Sequence, residues 1–74
     1  MDEMTVYELV ENFEGEVDQA IHFSDECWMR ELVNSSDQVY ESVDMELPGE
    51  GEDLRNRIAD CLMKLGEGIE QCAA

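Results

Sequence analysis

Leu54, Ile58, Cys61, Leu62 and Leu65 recur at i, i+4, i+7, i+8 and i+11, the strongest periodicity in the chain. A helix of 3.6 residues per turn gathers such positions onto one face. Asp60 and Lys64 then form an i, i+4 pair of opposite charge. A helix is predicted over 53–65. It reaches 72 if Ile69 and Cys72 continue the face beyond Gly66 and Gly68. No convincing pair of strands accompanies it, and a lone strand is not stable. The chain therefore reads as all-α.

The upstream segments give shorter helical patterns. "TVYE" fits a capping box with Thr5 as cap and Glu8 three residues on, followed by Val6, Leu9, Val10 and Phe13 at helical spacing. Gly15 is expected to end or bend this first helix. A second, over 16–22, buries Val17, Ala20 and Ile21. Ser24 caps a third, whose core stripe is Trp28, Met29, Leu32 and Val33. "NSSDQ" offers another cap, Ser35 or Ser36, for a fourth helix over 37–45 that buries Val39, Val43 and one of Tyr40 or Leu47. "VDMEL" alternates apolar and polar residues, so 39–47 also carries a strand signal. "LPGEGED" is the clearest loop. The expected architecture is a compact bundle of four or five short helices. It divides into an acidic helical region over 1–47, a loop over 48–52 and a neutral C-terminal helix over 53–72.

With 74 residues the chain supports one domain. Domains of this size bury only about 60% of their unfolded surface, so a partner or a second copy could add stability. "MDEMTVYELVE" lacks the basic start and apolar run of a secretory signal, and no apolar stretch nears the roughly 20 residues that span a bilayer. A soluble, cytoplasmic protein is expected. Cys27, Cys61 and Cys72 are odd in number and contain no Cys-x-x-Cys, and His22 has no ligand-spaced companion. Free thiols are expected, with no zinc site and no cofactor.

Charge is the second dominant feature. The formal net charge is −16. Residues 1–53 hold 17 acids and one base, Arg30, whereas 54–74 balance Asp60, Glu67 and Glu70 against Arg55, Arg57 and Lys64. Over the roughly 30 Å length of a compact chain of this size, that is about one charge per 2 Å. Duplex DNA carries about one per 1.7 Å of axis. Crowded carboxylates repel one another, and a surface built only for solubility usually mixes signs. Three uses fit: solubility or high salt, binding of a basic protein, and mimicry of nucleic acid. The density and the scarcity of bases in 1–53 favour the third.

Catalytic readings are weak. His22 and Cys27 lie five apart, but a half-exposed histidine beside a buried cysteine is the simpler reading of that spacing. "PGEGED" lacks the ligand spacing of an EF-hand loop. No serine is preceded by Asp and followed by Leu, as carrier-protein attachment would require.

Short, strongly acidic, helical chains without catalytic motifs resemble phage-encoded inhibitors that mimic DNA, including some anti-CRISPR proteins. The likeness covers the whole chain through size and charge layout. It implies a CRISPR effector or another nucleic-acid enzyme with a basic groove as target. Residues 13–33, "FEGEVDQAIHFSDECWMRELV", are also similar to the helix-turn-helix of phage repressors. Ala20 stands in the usual small position and Ser24 caps the second helix, while "HF" replaces the usual Leu-Gly-Ile/Val turn. The second helix carries Asp25, Glu26 and Glu31, which phosphates would repel.

The sequence thus predicts a non-enzymatic inhibitor that presents DNA-like charge to a basic nucleic-acid-binding surface of a host complex. Glu14, Glu16, Asp18, Glu26, Glu31, Asp37, Glu41, Asp44 and Glu46 are the expected contact residues, each facing Arg or Lys. The alternative is an antitoxin or immunity-type protein that caps a basic toxin. Leu54, Ile58, Leu62 and Leu65 either complete the core or form a homodimer seam along the C-terminal helix.

Overall fold

The computed structural model describes residues 5–73, which form three helices and no strand: α1 (Val6–His22), α2 (Glu26–Glu46) and α3 (Glu52–Ala73). Each packs against the other two. The expected all-α class holds, but three long helices replace four or five short ones, and residues 39–46 are helical.

The difference lies in two predicted breaks that do not occur. Thr5 caps α1 as expected, its hydroxyl accepting from the Glu8 amide at 3.2 Å. The helix then runs straight through Gly15. That glycine sits on the solvent side with no neighbour near its missing side chain. A mid-helix glycine costs about 0.5–1 kcal/mol relative to alanine. Val10, Phe13, Val17 and Ala20 are all buried on both sides of it. Burying each large apolar side chain stabilises by about 1.5–3 kcal/mol, so packing prevails over the local preference. The same balance carries α2 through "NSSDQ". Ser36 is buried and its hydroxyl donates back to the Val33 carbonyl at 2.6 Å, so it caps nothing.

The α1–α2 connection occupies only residues 23–25. The Asp25 amide donates to the Ala20 carbonyl and the Ser24 amide to the Ile21 carbonyl, which is a Schellman closure of α1. Ser24 sits at the left-handed position with φ 53°, where glycine is usual. It therefore terminates α1 and does not cap α2. Asp25 caps α2, its carboxylate accepting from the Trp28 amide at 3.1 Å. The expected 16–22 helix is the end of α1, and the expected third helix is the first two turns of a 21-residue helix. The two helices of the helix-turn-helix likeness are thus parts of longer helices, joined by a three-residue turn.

Residues 47–51 join α2 to α3. Pro48 and Gly49 occupy the centre of a turn closed by the Glu50 amide on the Leu47 carbonyl, with Gly49 at φ 81°, as a type II turn requires. Gly51 is buried against Val43; a β-carbon there would collide with Val43 Cγ1. Gly66 and Gly68 do not fray α3, which continues to Ala73 with Ile21 and Met29 packed over Gly68.

The core is a set of three-four seams. Val6, Val10, Phe13, Val17 and Ala20 supply α1, Met29, Leu32, Ser36, Val39 and Val43 supply α2, and Leu54, Ile58, Cys61 and Leu65 supply α3. Alternating steps of three and four keep a straight stripe facing the neighbouring helices, as in coiled-coil-like bundles. Leu9, Ile21, Trp28, Tyr40, Leu47, Leu62 and Ile69 flank the core half-buried. Val33, expected inside, falls one residue off the α2 seam and is 36% exposed. The molecule is elongated, 39 × 27 × 15 Å. No helix among the described residues is long and apolar enough to cross a membrane.

Candidate functional site

The seams dictate where the carboxylates go. With the apolar stripes turned inward, Glu16, Asp18, Glu31, Asp37, Glu41 and Glu46 are exposed on α1 and α2. Along the 39 Å long axis the described residues, with 18 acids and four bases, carry about one net negative charge per 2.8 Å. That is less dense than the value expected of a rounder shape, and sparser than duplex DNA at about one per 1.7 Å of axis.

The other three expected contact residues are engaged within the molecule. Glu14 is half-buried and accepts both a 3.1 Å bond from Arg57 Nε and a second from Nη2, a bidentate clamp of α1 to α3. The Arg57 guanidinium holds the Glu14 carboxyl below its ordinary value, against an opposing push from burial and with help from Lys64. Asp44 pairs with Arg55, tying α2 to α3. The Arg55 guanidinium also lies over the Tyr40 ring, 5.4 Å from its centroid. Both guanidinium pKa values are raised, each first by its hydrogen-bonded carboxylate. Glu26 pairs with Arg30 one turn on, at 3.0 Å, as their spacing implies. Asp18 lines a small pocket with Lys64.

The four bases are thus arranged to a pattern. Three belong to α3 and reach toward acids of α1 and α2, and Arg30 answers its own helix. The groove between α1 and α2 has no base among the described residues that line it. It encloses about 330 Å³. Leu9, Phe13, Leu32 and Val39 contribute apolar side chains to it, together with Trp28, and Glu16 and Glu31 enter from opposite helices. Ser35, Gln38 and Ser42 complete the α2 side and Asn12 the α1 side.

The serines are site residues that the sequence reading does not reveal. The apolar stripe places Trp28 in the core, yet it is only partly buried. A signal exists: Trp28, Ser35 and Ser42 recur every seven residues, one position before the core residues Met29, Ser36 and Val43. Ser35 and Ser42 are the small side chains along that line and border the groove.

Among the described residues no cluster of His, Cys, Asp or Glu is placed to hold a metal ion. His22 packs edge-on against Phe23, ring centroids 5.2 Å apart. Cys61 is buried, which raises its thiol pKa, while Cys27 and Cys72 are exposed, the reverse of the burial expected for Cys27. The chain matches no family model, no curated protein sequence and no solved structure.

Proposed function

We propose that this protein is a non-enzymatic inhibitor that presents nucleic-acid-like charge to the basic DNA-binding surface of a host nucleic-acid-processing complex, such as a CRISPR effector. The carrying observation is the segregation of its charge. Every Arg on α3 is drawn into an ion pair with α1 or α2. Among the described residues, the outer side of α1 and α2 keeps Glu16, Glu31, Asp37 and Glu41 outside any ion pair, with no base in the groove between the helices. Long-range attraction of such a surface speeds association with a positive groove and weakens as salt rises.

The test is displacement of labelled DNA from a purified effector, followed by fluorescence anisotropy. The protein should displace DNA, and less so as salt rises from about 0.05 to 0.5 M, where screening shortens to a few ångström. Replacing Glu16, Glu31, Asp37 and Glu41 together by Lys should abolish displacement while helix content is retained. Displacement that ignores salt and survives the fourfold reversal removes this reading.

A second reading, an antitoxin or immunity-type protein that caps a basic toxin, draws on the groove, a concave feature that phosphate mimicry alone does not use. Tight capture of one small toxin without effect on DNA binding would select it. A homodimer through α3 must rely on Leu62, Met63 and Ile69, because Leu54, Ile58 and Leu65 are buried in the core. A strict monomer in sedimentation at high concentration removes that proposal.

A further inference from the structure

The three interhelical seams differ in one respect. Between α2 and α3 a guanidinium, Arg55, lies over an aromatic ring, Tyr40, and pairs with a carboxylate, Asp44. Between α1 and α3 a guanidinium, Arg57, is clamped by Glu14. Between α1 and α2 the aromatic ring, Trp28, and two carboxylates, Glu16 and Glu31, are present, and the described lining includes no cation.

We infer that the α1–α2 groove is a clamp for an arginine side chain of the basic protein partner. This rests on the reading above that a basic protein surface docks on this face. The partly exposed Leu9 and Trp28, over a floor of buried Phe13, Leu32 and Val39, suit the aliphatic stem of a long cationic residue, which covers apolar surface while its head stays polar. Indole is the strongest of the aromatic faces for a cation, and guanidinium stacks on it more often than ammonium does. Carboxylates from two helices meet the planar fork of arginine, which donates in pairs; lysine is a point charge without that geometry. Arginine and tryptophan are also among the residues enriched where a few side chains carry most of an interface's binding energy. A volume of about 330 Å³ accommodates one such side chain with room for water. The acids beyond the groove steer the partner; the groove selects what it inserts.

The chain contains a single tryptophan, so Trp28 reports directly on its own groove. The experiment titrates the full chain with hexa-arginine and, separately, hexa-lysine at low salt while Trp28 emission is followed. Hexa-arginine should change the emission saturably and bind about tenfold more tightly than hexa-lysine, the margin that bidentate pairing plus stacking supplies. The double variant Glu16→Gln/Glu31→Gln should bring hexa-arginine down to the hexa-lysine level. The control Asp37→Asn/Glu41→Gln removes equal charge outside the groove and should weaken both peptides alike without erasing the preference. Circular dichroism confirms that each variant folds. Equal binding of the two peptides, or equal effects of the two double variants, overturns the clamp and leaves the charge-surface reading standing. If neither peptide binds at low salt, both readings fall.

Discussion

Glu41 tests the idea that this surface is kept acidic at the expense of the fold. It is exposed on α2, with Asp37 four residues before it and Asp44 three residues after. Like charges at these spacings cost about 0.2–0.5 kcal/mol per pair, and opposite charges gain a similar amount. Glu41→Lys converts both pairs from repulsive to attractive. That is four such increments, about 1 kcal/mol in low salt after allowing for Asp44's existing partner, Arg55. With the acid, Asp37, on the N-terminal side of the new lysine, the pair also has the favourable orientation with respect to the helix dipole. Lysine and glutamate have nearly equal helix propensity, so the backbone contributes little. In a domain this small, about 1 kcal/mol moves Tm by roughly 4–8 °C. Urea denaturation at about 20 mM and about 1 M salt is the assay. The gain should be present at low salt and largely absent at high salt, where the screening length falls to about 3 Å. The same variant should bind a basic partner more weakly, so stability and affinity move in opposite directions. No gain at low salt, or an equal gain at both salts, would refute self-repulsion as the cost of this surface.

Ser24→Gly should stabilise the fold by about 1 kcal/mol in urea melts, because a left-handed residue with a β-carbon is strained by about that amount; destabilisation would contradict the Schellman closure. The Glu14 carboxyl should titrate by carbon-13 NMR below the ordinary glutamate value and return toward it in Arg57→Gln. Since the folded pKa is the lower one, the stability contributed by this pair is complete above the unfolded glutamate pKa and is lost as pH falls through the folded value. An unchanged Glu14 titration in the variant would mean that the clamp does not form in solution. Thiol labelling of the native protein at mildly alkaline pH should modify Cys27 and Cys72 rapidly and Cys61 only on unfolding, because Cys61 is 4% exposed and its thiol pKa is raised. Equal rates at all three would show that the α3 seam opens readily.

Local patterns that depend on one turn of chain were legible. Thr5 as a cap, the Pro48–Gly49 turn, the Glu26–Arg30 pair and the buried face of Leu54, Ile58, Cys61 and Leu65 all follow from residues a few positions apart. Gly15 and "NSSDQ" mislead because their local meaning is a helix end, and only continuous burial from Val10 to Ala20 and from Met29 to Val43 overrides it. Ser24 misleads for the opposite reason. Its side chain suits a cap, but the three-residue connection requires a left-handed residue there and passes the cap to Asp25. The contact residues divide in the same way. That acids crowd α1 and α2 is plain from composition. That Glu14 and Asp44 are taken by Arg57 and Arg55, 43 and 11 residues away, depends on how α3 returns along the other two helices.

Three properties are already written in the order of the residues: the chain is helical, its bases are concentrated near its C-terminus, and its first 53 residues are overwhelmingly acidic. Spacing and charge count belong to neighbouring residues, and they survive any arrangement of the helices. Which carboxylates are neutralised, which are left for a partner, and whether Trp28 borders a groove are matters of helix packing. They depend on which helix lies opposite each flank of the apolar seam. With α3 supplying Arg55 and Arg57 to two of the three seams, the α1–α2 seam is the one left without a cation of its own among the described residues.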